Sequence, residues 1–380
     1  MASVGAPRSA GPAPSARLLE RLTARADPSG FVPFDRYMDV ALYDPEVGYY
    51  AGDRSPLGPG GDYYTAGHVS PLFAATLARR IARGLAALPP GPPPVVFEVG
   101  PGDGSIAAGV IPALARSAGI GPIEYRLIER SEPRAREAYA RARSAAEGTA
   151  VHVRRAESIG ADGPLRGVGF ANELLDALPA RRIRSAGGRW RELGVRIEGG
   201  RLLSAETAPE KSDVVPPLPT GLADGIVMEF SPAAEGWIRE VADHLTEGEL
   251  ILIDYGMSEA ELIRAHPTGT LEALRGHRFV DDPLASPGEI DLSCFVNFDR
   301  VRTVAASAGW TEVAFRAQSE ALGAWGFPAV FEEAIAGAGS AEAGVRIRLA
   351  VKSLLFGFDR FRVLELATRP RPGAGSGGRE

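Results

Sequence analysis

The segment that most constrains this chain is Val95-Val96-Phe97-Glu98-Val99 followed directly by Gly100-Pro101-Gly102-Asp103-Gly104. A β-rich run ends in three glycines set one residue apart, and a helical stretch, Ile106 to Ala118, follows at once. Glycine alone enters left-handed backbone freely and lets a ligand or helix approach closely. A strand that stops in glycines and re-emerges as a helix is the first half of a βαβ unit.

Three further β-rich runs continue the pattern: Tyr125–Glu129, Gly167–Ala171 and Leu250–Tyr255, with an Ala/Arg-rich helical stretch, Pro133 to Ala146, among them. Thr311–Phe315 and Phe361–Leu366 read as two more strands. Strands alternating with helices predict βαβ units and a parallel sheet, an α/β fold. Ligands of such sheets sit at the carboxyl ends of the strands. Those ends carry Glu98, Gly100, Glu129, Asn172 and Asp254.

Composition excludes several alternatives. The 380 residues carry a net charge of −6, which argues against bulk counterion-release binding to nucleic acid. No apolar run approaches the roughly 18–20 residues of a membrane span. The single cysteine, Cys294, leaves no internal disulfide and no multi-cysteine metal site. His68 and His277 have no partner at metal-ligand spacing, so no metal is expected.

Residues 1–30 are rich in Ala, Pro, Ser, Gly and Arg and read as a disordered tail; the alternative is an organelle transit peptide. The expected location is cytoplasmic, or the mitochondrial matrix under that alternative. Residues 31–94 then form an N-terminal segment. Residues 95–368 form the main domain, with insertions at about 184–225 and 319–358, and 369–380 is a second loose tail.

The glycine spacing is G-x-G-x-G, not the G-x-G-x-x-G of dinucleotide sites, and Pro101 removes one N–H that a pyrophosphate would use. Glu98 ahead of the glycines suits a cationic ligand. S-adenosylmethionine bears an ammonium and a sulfonium, and E-x-G-x-G-x-G resembles the cofactor loop of class I methyltransferases. Glu129 ends the next run, where a carboxylate accepts both ribose hydroxyls; a nicotinamide enzyme would want the same carboxylate. The plain alternative is a tight turn with no ligand.

A second constellation is Asn172-Glu173-Leu174-Leu175-Asp176-Ala177-Leu178-Pro179. Asn172 is a candidate N-cap, and Glu173 and Asp176 then share one helical face. Functionally this is a carboxylate pair that holds a cationic acceptor, with Asn172 beside it. The plain reading is a capped and solvated first turn. Asp254 and Glu229 are reserve acids.

In order along the chain, Ala41–Pro45 with Gly48–Tyr50, Gly61–Thr65, Glu98–Gly102, Ala171–Pro179, Ile253–Gly256 and Pro287–Leu292 with Val296–Phe298 resemble the MidA-like (DUF185) family. Its mitochondrial members are complex I assembly-factor arginine methyltransferases. The resemblance covers roughly residues 31–366. It implies a class I methyltransferase fold, a mostly parallel seven-stranded Rossmann-like sheet with helices on both faces, residues 31–94 as an N-terminal cap over the cofactor and helical insertions, with S-adenosyl-L-methionine as that cofactor. It also implies methylation of a protein arginine, with a small-molecule acceptor or a non-catalytic assembly role as alternatives. Glu98, Gly100, Gly102, Gly104 and Glu129 are then cofactor-binding, with Asp62 and Thr65 in a lid, and Asn172, Glu173 and Asp176 catalytic. No nucleic-acid or membrane partner is implied. Two departures stand out: His68 where the family carries glutamate, and Asp103 where its glycine loop carries arginine.

Overall fold

The computed structural model describes residues 14–51, 71–117, 121–161, 163–209, 215–276, 278–356 and 360–369. Asp62, Thr65, His68 and His277 lie outside them, as do residues 1–13 and 370–380. The chain divides into two compact units. One comprises Tyr64–Leu174, Glu235–Tyr255 and Arg300–Glu380; the other comprises Met1–Tyr63, Leu175–Ala234 and Gly256–Asp299.

The first unit is built on seven strands: β1 (Val95–Val99), β2 (Ile123–Ile128), β3 (Val151–Ala156), β4 (Leu165–Asn172), β5 (Leu245–Met257), β6 (Trp310–Ala317) and β7 (Phe361–Thr368). Their order across the sheet is β6-β7-β5-β4-β1-β2-β3. The β5-β4-β1-β2-β3 neighbours are all parallel. Only β7 runs against its neighbours, β5 and β6. The mostly parallel seven-stranded sheet expected from sequence is therefore present. Strand β3, Val-His-Val-Arg-Arg-Ala, is the one the sequence reading passed over. It is an edge strand with charged side chains in the solvent, so its apolar alternation is short.

Central strands are covered on both faces and read as apolar runs. On one face, Val96, Tyr125, Val168, Phe170, Ile253, Phe361 and Val363 form one buried cluster. Helices Pro71–Ala86 and Ser105–Ala115 cover it with Phe73, Leu77, Ile81, Val110 and Ile111. Helix Gln318–Trp325 adds Ala321, Leu322 and Trp325. Two more helices, Phe327–Ala336 and Ala341–Phe356, complete the stretch before β7.

The second unit holds a five-stranded antiparallel sheet of Phe31–Pro33, Arg181–Ala186, Arg189–Glu198, Arg201–Thr207 and Val227–Phe230. Helix Phe34–Tyr43 packs in its core through Tyr37, Met38 and Leu42. Residues 14–30 correct the expectation of a loose tail. Ser15 caps helix Ala16–Thr23, accepting from the Leu18 N–H, and Leu18 and Leu22 are buried. The three leucines of this segment are enough to anchor one amphipathic turn on a core that the rest of the chain supplies.

Candidate active site

The turn after β1 is held by backbone geometry. Gly100, Gly102 and Gly104 have φ of 68°, 58° and 80°, all in the left-handed region that favours glycine. The Gly100 N–H donates to the Ile128 carbonyl at 3.0 Å, tying the turn to β2. Buried Asp103 accepts from the Ser105 N–H at 3.0 Å and the Ser105 hydroxyl at 2.7 Å, and Arg141 also donates to it. A carboxylate there suits the positive end of helix Ser105–Ala115. The aspartate thus holds Ser105 at the start of the helix, whose N-cap residue is Gly104.

The glycines differ in purpose. A Cβ on Gly104 would lie 2.7 Å from the Ala138 Cα, so this glycine lets helix Glu132–Ala145 pack on the turn. A Cβ on Gly100 would lie 3.0 Å from Leu174 Cδ1, at the end of β4. The space at Gly100 therefore borders a side chain, and a residue larger than glycine there must displace Leu174.

Glu98 is 2% exposed and points to the same face as Val96. The Tyr125 hydroxyl donates to it at 2.7 Å. Burial pushes the Glu98 carboxyl up to about 8; the Tyr125 hydrogen bond opposes this and Asp103 adds to it. Tyr125 is itself raised well above the ordinary tyrosine value by burial and by Glu98. From sequence alone Glu98 is expected to be an anion. Without a cation beside it, the buried carboxyl keeps its proton into the neutral range. Tyr125 was missed; its signal was a polar-tipped aromatic at an inward strand position beside Val96.

Glu129 lies one residue past β2, accepts from the Ser131 N–H at 2.8 Å, and is raised by burial. Asn172 closes β4 beside Ile253 of β5 and is 8% exposed. Its amide N–H donates to Glu173 at 3.0 Å, while Oδ1 is buried and accepts no hydrogen bond. By register Val99 sits beside Ala171, so Asn172 stands level with Gly100.

The helical turn expected over Glu173–Asp176 does not form; residues 175–177 are turn. Glu173 has φ of +53°, the only positive value on a non-glycine among the described residues. Its N–H donates to the Ile253 carbonyl at 2.9 Å, and the Leu174 N–H donates to Asp254 at 3.2 Å. The left-handed backbone at Glu173 cannot begin a right-handed turn, and Asn172 Oδ1 accepts no N–H as a cap would, so no helix starts at Asn172. Left-handed backbone on such a residue costs of order 1–3 kcal/mol and concentrates at functional sites. The structure thus gathers Glu98, Gly100, Gly102, Gly104, Glu129, Asn172 and Glu173 at one edge of one sheet. Asp176 belongs to the other unit, where its carbonyl accepts from the Cys294 N–H at 3.0 Å.

The reserve acids are engaged in holding structure. Asp254 receives the Leu174 and Tyr255 N–H groups. In the other unit Glu229 pairs with Arg182 at 3.0 Å and accepts from the Thr270 N–H at 3.0 Å. Among the described residues no group of three or more His, Cys, Asp or Glu side chains is placed to hold a metal ion.

Residues 76–315 match the model of a family of S-adenosyl-L-methionine-dependent methyltransferases, more than half of the chain. The chain belongs to that family. It is similar to the Drosophila melanogaster protein arginine methyltransferase NDUFAF7 homolog, mitochondrial: 24% identical, covering 77% of this chain and 70% of the relative. The Homo sapiens protein arginine methyltransferase NDUFAF7, mitochondrial, is 25% identical over 77% of this chain and 69% of its own length. A COG1565 superfamily member from Burkholderia thailandensis, crystallised with S-adenosyl-homocysteine, superimposes with a TM-score of 0.79 at 30% identity, covering 94% of this chain and 95% of that one. This protein is an S-adenosyl-L-methionine-dependent methyltransferase of class I fold.

The edge fits the methyl donor on its own terms. Glu98 is a buried carboxyl with no cation, and the donor brings an ammonium. Asn172 Oδ1 is a buried acceptor lacking a donor. Three left-handed glycines keep Cβ atoms away from the turn. No helix among the described residues is long and apolar enough to cross a membrane.

Proposed function

We propose that this methyltransferase acts on arginine side chains of a protein, and that Glu98, Glu129, Asn172 and Glu173 divide the work of binding and alignment. The observation that carries the reading is Glu173: an acidic residue held at φ +53° at the end of β4, level with the glycine turn. The relatives named protein arginine methyltransferase support the acceptor class.

The bound donor supplies a methyl group already activated on a sulfonium. The protein's task is alignment and charge. Glu98 gives up its proton to face the donor's ammonium, and Glu129 accepts from the ribose hydroxyls, each charge-assisted bond contributing about 1.5–3 kcal/mol. Gly100 and Gly102 keep the backbone close. An arginine stays protonated at neutral pH, so its attacking nitrogen needs the positive charge drawn to the rest of the group. Glu173 faces the guanidinium for that purpose. Holding both reactants in line supplies about 7–11 kcal/mol of the barrier reduction.

The test is tritiated methyl transfer from S-adenosylmethionine into whole-cell lysate, with protein and small-molecule fractions then separated by gel filtration and the protein acid-hydrolysed. Label recovered as methylarginine with wild type, and lost with Glu173→Gln, supports the reading. Label on small molecules alone, or donor binding without turnover, replaces it with a small-molecule enzyme or a non-catalytic assembly protein. The mitochondrial address named for the relatives is tested by locating the tagged chain.

A further inference from the structure

A second buried amide lies along the same edge, on the far side of the sheet from the glycine turn. Gln318 follows the last residue of β6 and is 1% exposed, and neither its Oε1 nor its Nε2 has a hydrogen-bond partner. The placement follows from register. Asn172 pairs with Ile253, Ile253 with Val363, and Val363 with Arg316, so one row crosses β4, β5, β7 and β6 at the carboxyl edge. One residue further along, Ala317 is level with Arg362 and Asp254. Gln318 comes next.

It also points to the right face. On helix Gln318–Trp325, residues 318, 321, 322 and 325 form one stripe, and Ala321, Leu322 and Trp325 sit in the cluster that holds Val96, Phe170 and Phe361. Side-chain alternation puts Glu98 with Val96, and Asn172 with Phe170, on that face. Glu98, Asn172 and Gln318 therefore rise along one face of one sheet. Asn172 Oδ1 and both amide atoms of Gln318 lack the hydrogen bonds their burial demands, and Glu98 has a neutral hydroxyl beside it and no cation.

Buried carboxamides in folded proteins are almost always bonded, and one with both atoms unmet calls for a reason. Three strand steps of about 4.8 Å separate β4 from β6, about 14 Å in all. Across the sheet Glu129 and Glu98, the residues proposed above for the donor, lie on one side of Glu173, proposed for the acceptor, and Gln318 lies on the other. A carboxamide presents one acceptor and one donor group together. A guanidinium has only donors and would leave Nε2 unmet, whereas a peptide group answers both atoms.

We propose that Gln318 is the acceptor-side binding residue, its carboxamide taking a peptide group of the protein substrate beside the arginine to be methylated. The inference rests on the protein-arginine reading above and deepens it. The amide atoms are packed against protein in the free state, and their unmet bonds favour the local shift that admits the substrate backbone.

Gln318→Met tests this, with Gln318→Leu as a second variant of different shape. Both remove the amide and keep an apolar side chain of similar size. Expected are an unchanged or raised Tm, an unchanged Kd for S-adenosylmethionine by calorimetry, and kcat within twofold of wild type. The half-saturating concentration of gel-filtered lysate protein should rise at least tenfold. A lowered Tm in both variants, or an unchanged half-saturation, overturns the proposal and makes Gln318 a structural residue. If wild type itself places no label on protein arginine, the underlying reading falls and this inference with it. If wild type labels arginine and the variants do so equally well, only this inference falls.

Discussion

Glu98 and Glu365 are buried to nearly the same degree, 2% and 4% exposed, in the same sheet. Their surroundings are opposite. Glu365 on β7 receives Arg80 Nε at 2.7 Å and the Trp325 indole N–H at 3.1 Å, with Arg316 at 3.7 Å. Arg80 is shared with Glu249 at 2.6 Å. Glu98 on β1 has one neutral hydroxyl. The first carboxylate has its counter-ions built into the fold and fastens helices Pro71–Ala86 and Gln318–Trp325 to the sheet. The second is left for a cation that the protein does not contain. A buried charge whose partner is internal serves folding, and one whose partner is absent marks a site.

The contrast can be broken by substitution. Glu365→Ala should have the largest effect, a loss of about 3–5 kcal/mol in urea unfolding, because Arg80 is left buried and short of a partner. A loss under 1 kcal/mol would remove the distinction between the two glutamates. Gly104→Ala should come next, at about 2 kcal/mol or more, since a Cβ meets the Ala138 backbone and the left-handed φ is strained as well. Glu98→Gln keeps an acceptor for Tyr125, so stability should stay within about 1 kcal/mol of wild type while S-adenosylmethionine binding weakens about 10–100-fold, or about 1.4–2.8 kcal/mol. Calorimetry reads the affinity, and an unchanged Kd would take Glu98 out of the site.

The pH response sharpens the same point. Folded Glu98 holds its proton to about 8, against 4.5 for an ordinary glutamate. Between those values the folded state binds more protons than the unfolded chain, so this carboxyl makes stability fall as pH rises, by at most about 1.4 kcal/mol per unit. Donor binding should release a proton and tighten across the same window. Thermal unfolding from pH 5 to 8, wild type against Glu98→Gln, measures the slope; parallel curves would contradict it. The smallest effect is expected from Glu173→Gly. Relief of the left-handed strain should stabilise the chain by about 0.5–1 kcal/mol while turnover drops, a trade between stability and function. Stability and turnover moving down together would make Glu173 an ordinary turn residue.

Much of the sheet was legible because its signals are local. Six of the seven strands announce themselves as apolar runs, and the turn after β1 is written in three glycines whose φ values need no distant partner. The end of β4 was read less well. Asn172-Glu173-Leu174 carries a good helix-cap pattern, yet bonds to Ile253 and Asp254, some 80 residues away, fix the chain with Glu173 in left-handed backbone, which cannot begin a right-handed helix. Helix Ala16–Thr23 fails to announce itself for the same reason, since its two buried leucines gain their environment from other segments.

What the sequence determined alone is the order of elements, the bend after β1 and the acidic residue set just before it, because backbone preference and strand periodicity act over a few residues. The charge state of that acid, the unmet amides of Asn172 and Gln318, and the split between Glu173 and Asp176 were decided only by the folded chain. Each depends on which groups are or are not beside it once segments far apart in sequence have packed. Solvation and pairing belong to that packing and are absent from any short stretch of residues.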